Sequence, residues 1–126
     1  MTGTRGRVLV VEDDADLAWV ERFNLESEGY EVKVAPEGLT AVEQLKSFSP
    51  DVVVLDVMLP HLDGWAILER TKELPPDRRP EVILVSAVAG VADRARGESL
   101  GVGRFLAKPF DMDDFVRMVG EAMASA

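Results

Sequence analysis

Short runs of apolar, mostly β-branched residues constrain the fold of this 126-residue chain more than any other feature. The runs are Val8–Val11, Val52–Leu55, Val82–Val85 and the weaker Arg104–Ala107. Each run is continuous rather than alternating, which is typical of strands that are covered on both faces in a parallel sheet. Tyr30–Ala35 alternates instead, as a strand nearer the edge of a sheet does.

Segments with helical periodicity lie between these runs. Three of them carry apolar stripes: Leu17, Val20 and Phe23; Leu39, Val42, Leu45 and Phe48; and Met112, Phe115, Val119 and Met123. Trp65–Leu74 and Gly90–Leu100 are weaker helices by pattern, and Asp14 and Asp111 are predicted helix N-caps. Five strands that alternate with five helices predict a doubly wound α/β fold, a parallel sheet with helices on both faces.

Composition narrows the classes of function. The net charge of −9 disfavours nucleic-acid binding by this domain, because a phosphate backbone would be repelled. Cysteine is absent and His61 is the single histidine, which excludes disulfides, thiolate catalysis and zinc sites built from cysteine or several histidines. No apolar run approaches the roughly 20 residues that a membrane span needs. We therefore expect one cytoplasmic domain over residues 1–126, with no membrane partner.

Polar side chains follow the predicted strands at their carboxyl ends. Glu12 and Asp13 come after the first strand, Asp56 after the third, Ser86 after the fourth and Lys108 after the fifth. Ligands of open parallel sheets bind outside the carboxyl ends of the strands. We therefore expect these five side chains to converge at one edge of the sheet.

The expected cluster suits phosphoryl chemistry. Crowded carboxylates repel one another unless a cation neutralises them, and oxygen donors without cysteine or histidine select Mg²⁺ or Mn²⁺. A lysine and a hydroxyl can donate to phosphoryl oxygens, and a carboxylate can act as the covalent acceptor. The residue types thus predict a metal-assisted phosphoryl site.

Four segments carry a family resemblance. In this order and spacing, VLVVEDD, VVVLDVMLPHLDGW, VILVSA and GVGRFLAKPFD resemble the signature set of response-regulator receiver domains of two-component signal transduction. The resemblance runs from about Arg7 to Met123. It implies a flavodoxin-like (βα)5 fold with strand order 2-1-3-4-5. It also implies a signalling phospho-acceptor that catalyses only its own phosphorylation and dephosphorylation.

The resemblance assigns roles at the acceptor and the metal. Asp56 matches the residue that accepts a phosphoryl group from a histidine kinase or a histidine phosphotransfer domain. Lys108 matches the family's lysine, and its bond to the following proline is expected to be cis. Glu12, Asp13, Asp56 and the backbone carbonyl of Met58 match the metal ligands, with Asp13 the more direct ligand of the acidic pair.

Further positions match a conformational switch. Ser86 matches the family's hydroxyl residue that turns toward the phosphate, and Phe105 matches the aromatic residue whose rotamer follows it. Met58 and Val88 flank the phosphate in relatives and tune hydrolysis; both are apolar here, which predicts slow self-dephosphorylation. The face formed by the fourth helix, fifth strand and fifth helix is the family's output surface, through which a downstream partner, an output domain or a phosphorylation-dependent second copy binds.

Three other classes of protein compete with this interpretation. A haloacid-dehalogenase-type phosphatase would show a second aspartate two residues after Asp56, where this chain has Met58. A flavodoxin-like cofactor binder would need a Gly/Ser/Thr-rich phosphate loop after the first strand, where acidic residues stand instead. A pseudo-receiver that only binds partners remains an alternative, although the complete set of acidic, serine and lysine positions disfavours it.

Overall fold

The computed structural model describes residues 5–57, 64–86 and 91–126. Within these ranges five strands alternate with five α-helices, and a one-turn 3₁₀ helix at Pro76–Arg78 precedes the fourth strand. The strands are β1 (Arg7–Val11), β2 (Glu31–Ala35), β3 (Val52–Asp56), β4 (Glu81–Ser86) and β5 (Arg104–Ala107). The helices are α1 (Ala15–Ser27), α2 (Gly38–Ser47), α3 (Gly64–Lys72), α4 (Val91–Ser99) and α5 (Met112–Ser125).

The strands form one parallel sheet in the order β2-β1-β3-β4-β5, which confirms the predicted fold class. Val8 pairs with Val32 on one side and with Val52 on the other, so β1 lies between β2 and β3. β4 lies between β3 and β5. The alternating segment forms β2 at one edge, as its pattern predicted.

Two hydrophobic layers explain why the central runs are continuous. Leu9, Val53 and Leu55 face the layer that contains residues of α2 and α3. Their neighbours along the strands, Val8 and Val54, face the layer that contains residues of α1 and α5. Successive strand residues point to opposite faces, so a sheet covered by helices on both sides buries both sets.

The buried face of α1 differs from the predicted stripe. Val20 and Phe23 are 38% and 56% exposed, and Trp19 stacks on Phe23 with the ring centroids 5.4 Å apart. The buried residues of this helix are instead Ala18, Glu21 and Leu25. The predicted stripe was wrong because a glutamate occupies a buried position that a hydrophobic pattern assigns to the solvent face. Leu39 of the second stripe is likewise 68% exposed.

Aspartates stand at the N-cap positions of α1 and α5. Asp14 caps α1, since its carboxylate accepts hydrogen bonds from the backbone N–H groups of Asp16 and Leu17. Asp111 precedes α5 as predicted but makes no capping hydrogen bond with its side chain. No helix of the described residues is both long enough and apolar enough to cross a membrane.

Candidate functional site

The carboxyl edge of the sheet brings four charged side chains together. Glu12 follows β1, Asp56 ends β3 and Lys108 follows β5. Carboxylate oxygens of Glu12, Asp13 and Asp56 all lie within 4.8 Å of one another. Glu12 and Asp56 are buried, whereas Asp13 is exposed at the mouth of the cluster. Oxygen donors this close together fit a hard divalent cation such as Mg²⁺.

Lys108 is the cationic centre of this cluster. Its Nζ atom lies 2.7 Å from Oδ2 of Asp56 and 2.9 Å from Oε1 of Glu12. Its backbone N–H donates to the carbonyl of Ser86 at 2.8 Å, and the Lys108–Pro109 bond is cis. Burial alone would lower the pKa of Lys108, but hydrogen bonds to Asp56 and Glu12 outweigh it and raise the pKa above its usual value. The ammonium group therefore stays charged.

Glu12 sits in a tight turn between β1 and α1. Burial raises the pKa of its carboxyl group, although hydrogen bonds from Lys108 and from the backbone N–H of Asp14 oppose this. The Asp14 N–H lies 3.2 Å from Oε2 of Glu12, while the Asp14 side chain caps the following helix. The ion pair with Lys108 and the hydrogen bond from Asp14 thus hold the Glu12 carboxylate at the start of α1.

Asp56 is held on a rigid backbone. It pairs in register with Val85 of β4, and the next residue, Val57, donates to the Val85 carbonyl at 3.1 Å. Gly64 begins α3 directly against this segment, and a Cβ atom there would lie 2.7 Å from the carbonyl oxygen of Asp56. Only glycine allows α3 to approach the end of β3 so closely.

Ser86 and Phe105 both contact α4. The Ser86 hydroxyl donates to Oδ2 of Asp93 at 3.1 Å. Phe105 is half-buried, and the guanidinium carbon of Arg94 lies 5.1 Å from the centre of its ring. Ser86, Phe105 and Trp65 line one cavity of about 70 Å³. The switch roles of Ser86 and Phe105 stay predictions.

Several sequence predictions lie outside the described residues. They concern the Met58 carbonyl as a metal ligand and the tuning positions Met58 and Val88. His61, which we assigned no role, is outside them as well.

Sequence reasoning missed Asp93 and Glu21. Asp93 stands in the first turn of α4, where an acidic residue is expected for the helix dipole alone. Glu21 follows Ala18 by three residues and precedes Leu25 by four, which is the spacing of one helical face. That spacing was the available signal for its burial.

Comparisons with known proteins identify the family of this chain and agree with its fold. The family model of the response regulator receiver domain matches residues 8–120. The transcriptional regulatory protein TrcR of Mycobacterium tuberculosis is 36% identical over 114 residues, which cover 90% of this chain and 44% of TrcR. The chain thus spans less than half the length of this curated relative.

Two solved structures show the same likeness. The receiver domain of Francisella response regulator 1452 has a TM-score of 0.85 and 28% identity, covering 95% of this chain and 98% of its own. The receiver domain of the sensor histidine kinase PA1611 from Pseudomonas aeruginosa, with magnesium coordinated in its active-site cleft, has a TM-score of 0.82 and 28% identity, covering 94% of this chain and 98% of its own. With the family match over most of its length, this chain belongs to the response regulator receiver domain family.

Proposed function

We propose that this chain is a single receiver domain that accepts a phosphoryl group on Asp56. The donor is a phosphohistidine of a histidine kinase or of a histidine phosphotransfer domain. The observation that carries the proposal is the contact of the Lys108 ammonium with Asp56 and Glu12, at 2.7 and 2.9 Å, beside the exposed carboxylate of Asp13. A buried carboxylate is thereby held next to a fixed positive charge and a set of metal-binding oxygens.

The side chains divide the chemistry between them. A carboxylate oxygen of Asp56 forms the new bond to phosphorus while the bond from phosphorus to the donor imidazole breaks, and that electron pair returns to the imidazole nitrogen. Lys108 donates a hydrogen bond to a phosphoryl oxygen and offsets the charge that Asp56 brings to the transition state. Glu12 remains as a hydrogen-bond acceptor that keeps the ammonium group oriented.

The metal ligands on this proposal are Glu12, Asp13, Asp56 and the carbonyl of Met58. Mg²⁺ or Mn²⁺ bound there would neutralise charge on the phosphoryl oxygens. The cluster of carboxylate oxygens within 4.8 Å supports this, as does the magnesium ion in the cleft of the PA1611 receiver domain. The Met58 ligand rests on the family resemblance alone.

On this proposal, Ser86 and Phe105 transmit phosphorylation of Asp56 to the surface that binds the downstream partner. The new phosphoryl oxygens accept a hydrogen bond from Ser86, and Phe105 turns inward as α4 shifts. The face of α4, β5 and α5 then binds a downstream protein, an output domain or a second copy of the chain. This is a shift between two conformations, biased by charge-assisted hydrogen bonds.

The test of the acceptor is intact mass after incubation with acetyl phosphate and Mg²⁺. We expect one phosphate adduct on the wild-type protein, none with EDTA and none on Asp56→Asn. Asp77→Asn is the matched control, because it makes the same change in the exposed 3₁₀ helix before β4 and should keep the adduct. An adduct that persists in Asp56→Asn contradicts the assignment. No adduct and no Mg²⁺ binding in any protein would favour a pseudo-receiver.

The lifetime of the adduct is a separate prediction. Met58 and Val88 are apolar and cannot orient an attacking water, so we expect the phosphorylated domain to persist well beyond seconds. The decay of the adduct after the donor is removed, followed by intact mass, measures this. Met58→Asn should shorten the lifetime, and a wild-type lifetime of only seconds contradicts the prediction.

A further inference from the structure

The first two turns of α4 contact both predicted switch residues. Asp93 accepts the hydrogen bond from Ser86 at 3.1 Å. Arg94 covers the ring of Phe105 at 5.1 Å. At Gly97, one turn further on, a Cβ atom would lie 2.6 Å from Phe105, so the ring packs directly on the helix backbone. The position of α4 is therefore coupled to the side chains of Ser86 and Phe105.

We propose that Asp93 is a positioning residue that holds the Ser86 hydroxyl against α4 in the unphosphorylated domain and competes for it with a phosphoryl group on Asp56. The contact itself is independent of the proposed function, whereas the competition rests on it. No functional role for Asp93 followed from its place in the sequence.

The chemistry of the two groups makes the competition direct. A hydroxyl has one proton to donate, and an ionised carboxylate can only accept it. A phosphoryl oxygen is likewise an acceptor, so Ser86 has to leave Asp93 to donate to the phosphoryl group. Asp93 keeps a favourable interaction with the N-terminus of α4 after Ser86 leaves, since it lies in the first turn of that helix.

Release of Ser86 also removes a hydrogen bond that connects β4 to α4. Ser86 is the last residue of β4, and its hydrogen bond spans seven residues to reach the helix. Without this bond, α4 loses a hydrogen bond that holds its first turn to the end of β4. The bond thus stabilises the unphosphorylated arrangement and lowers the apparent affinity of the site for a phosphoryl group.

Trp65 offers a direct readout of this exchange. It lines the same cavity as Ser86, Asp93 and Phe105, and the Arg96 guanidinium carbon lies 4.5 Å from the centre of its ring. The other tryptophan, Trp19, is 65% exposed on α1 and can be replaced by phenylalanine. In that background, Trp65 emission is titrated with beryllofluoride, a phosphoryl mimic, in the presence of Mg²⁺.

We expect Asp93→Ala to lower the half-saturating concentration of the mimic about tenfold, the effect of one lost hydrogen bond to a charged group. Asp93→Asn should fall between Asp93→Ala and the wild type, because its amide oxygen still accepts a weaker bond. Asp113→Ala is the matched control, since it removes an exposed first-turn carboxylate from α5 and should change affinity less than twofold. An Asp93→Ala protein that behaves like Asp113→Ala overturns the proposal.

The Ser86→Ala background separates positioning from a general structural effect. There, Asp93→Ala should no longer change the affinity for the mimic, since no hydroxyl is left to hold. An undiminished tenfold change in that background overturns the proposal, because Asp93 would then act by another route. A wild-type protein that shows neither a phosphate adduct nor a response to the mimic contradicts the proposed function and the competition together. A normal wild-type response with an unshifted Asp93→Ala variant contradicts this inference alone.

Discussion

Replacing Glu21 with methionine is expected to raise the free energy of unfolding by about 3 kcal/mol at pH 7. Glu21 is 1% exposed, and within residues 5–57, 64–86 and 91–126 its Oε1 atom has no hydrogen-bond partner. Burial, and then the negative charge of Glu12, raise the pKa of its carboxyl group to about 8. Methionine has a similar length, and its thioether carries no comparable desolvation cost.

The pH dependence of the free energy of unfolding tests whether ionisation of Glu21 destabilises the folded protein. In the unfolded chain Glu21 loses its proton near its ordinary pKa of 4.5, whereas the folded protein keeps the proton up to about pH 8. The folded state therefore binds more protons between these values, and this group makes the protein less stable as the pH rises through that window. Above it, the contribution is constant.

Urea unfolding at pH 5, 7 and 9 in EDTA measures this contribution. Glu21→Gln should remove the loss of stability between pH 5 and 8 that this side chain causes, whereas Glu21→Met should also raise stability overall. Glu43→Gln, an exposed glutamate of α2, is the control and should follow the wild-type profile. Profiles of wild type and Glu21→Gln that run parallel across this range would refute the assignment.

Replacing Lys108 with methionine is expected to lower the free energy of unfolding by about 3 kcal/mol at pH 7 in EDTA. The change leaves the buried carboxylates of Glu12 and Asp56 without the ammonium group that lies within 3 Å of both. Removal of one partner from a buried ionic cluster leaves the others uncompensated. Mg²⁺ should restore part of this stability, because it replaces the missing positive charge.

Urea unfolding with and without Mg²⁺ tests the structural effect, and the rate of adduct formation from acetyl phosphate tests the chemical one. The rate in Mg²⁺ should fall about a hundredfold, the usual effect of losing one donor to a developing charge. Lys72→Met replaces an exposed lysine at the end of α3 and should change neither quantity appreciably. Equal losses of stability in the two variants would show that Lys108 is not paired as the structure has it.

The sequence predicted the features that follow from local composition. Burial on both faces is visible in a run such as Val52–Leu55, and the strand order follows once the family resemblance is accepted. A parallel sheet collects the residues after its strands at one edge, so the approach of Asp56 and Lys108 could be anticipated from order alone.

The features that sequence did not predict depend on tertiary contacts. Glu21 lies on the buried face of α1 with Ala18 and Leu25, but a hydrophobic pattern scores its charged side chain as solvent-facing. Asp93 bonds to Ser86 only because α4 packs beside the end of β4. Trp19 and Phe23 are the opposite case, because these large apolar side chains are exposed and stack on each other outside the core.

The position of the strands within the sheet has a mechanical consequence. All five residues of β3 are buried, and this strand is clamped between β1 and β4. β5 has four residues, none of them fully buried, and pairs with a neighbour on one side only. Stiffness therefore declines from the middle of the sheet toward β5. We therefore expect a structural change that begins at Asp56 to leave β3 in place. The displacement should be larger at β5, the outermost strand on that side of the sheet.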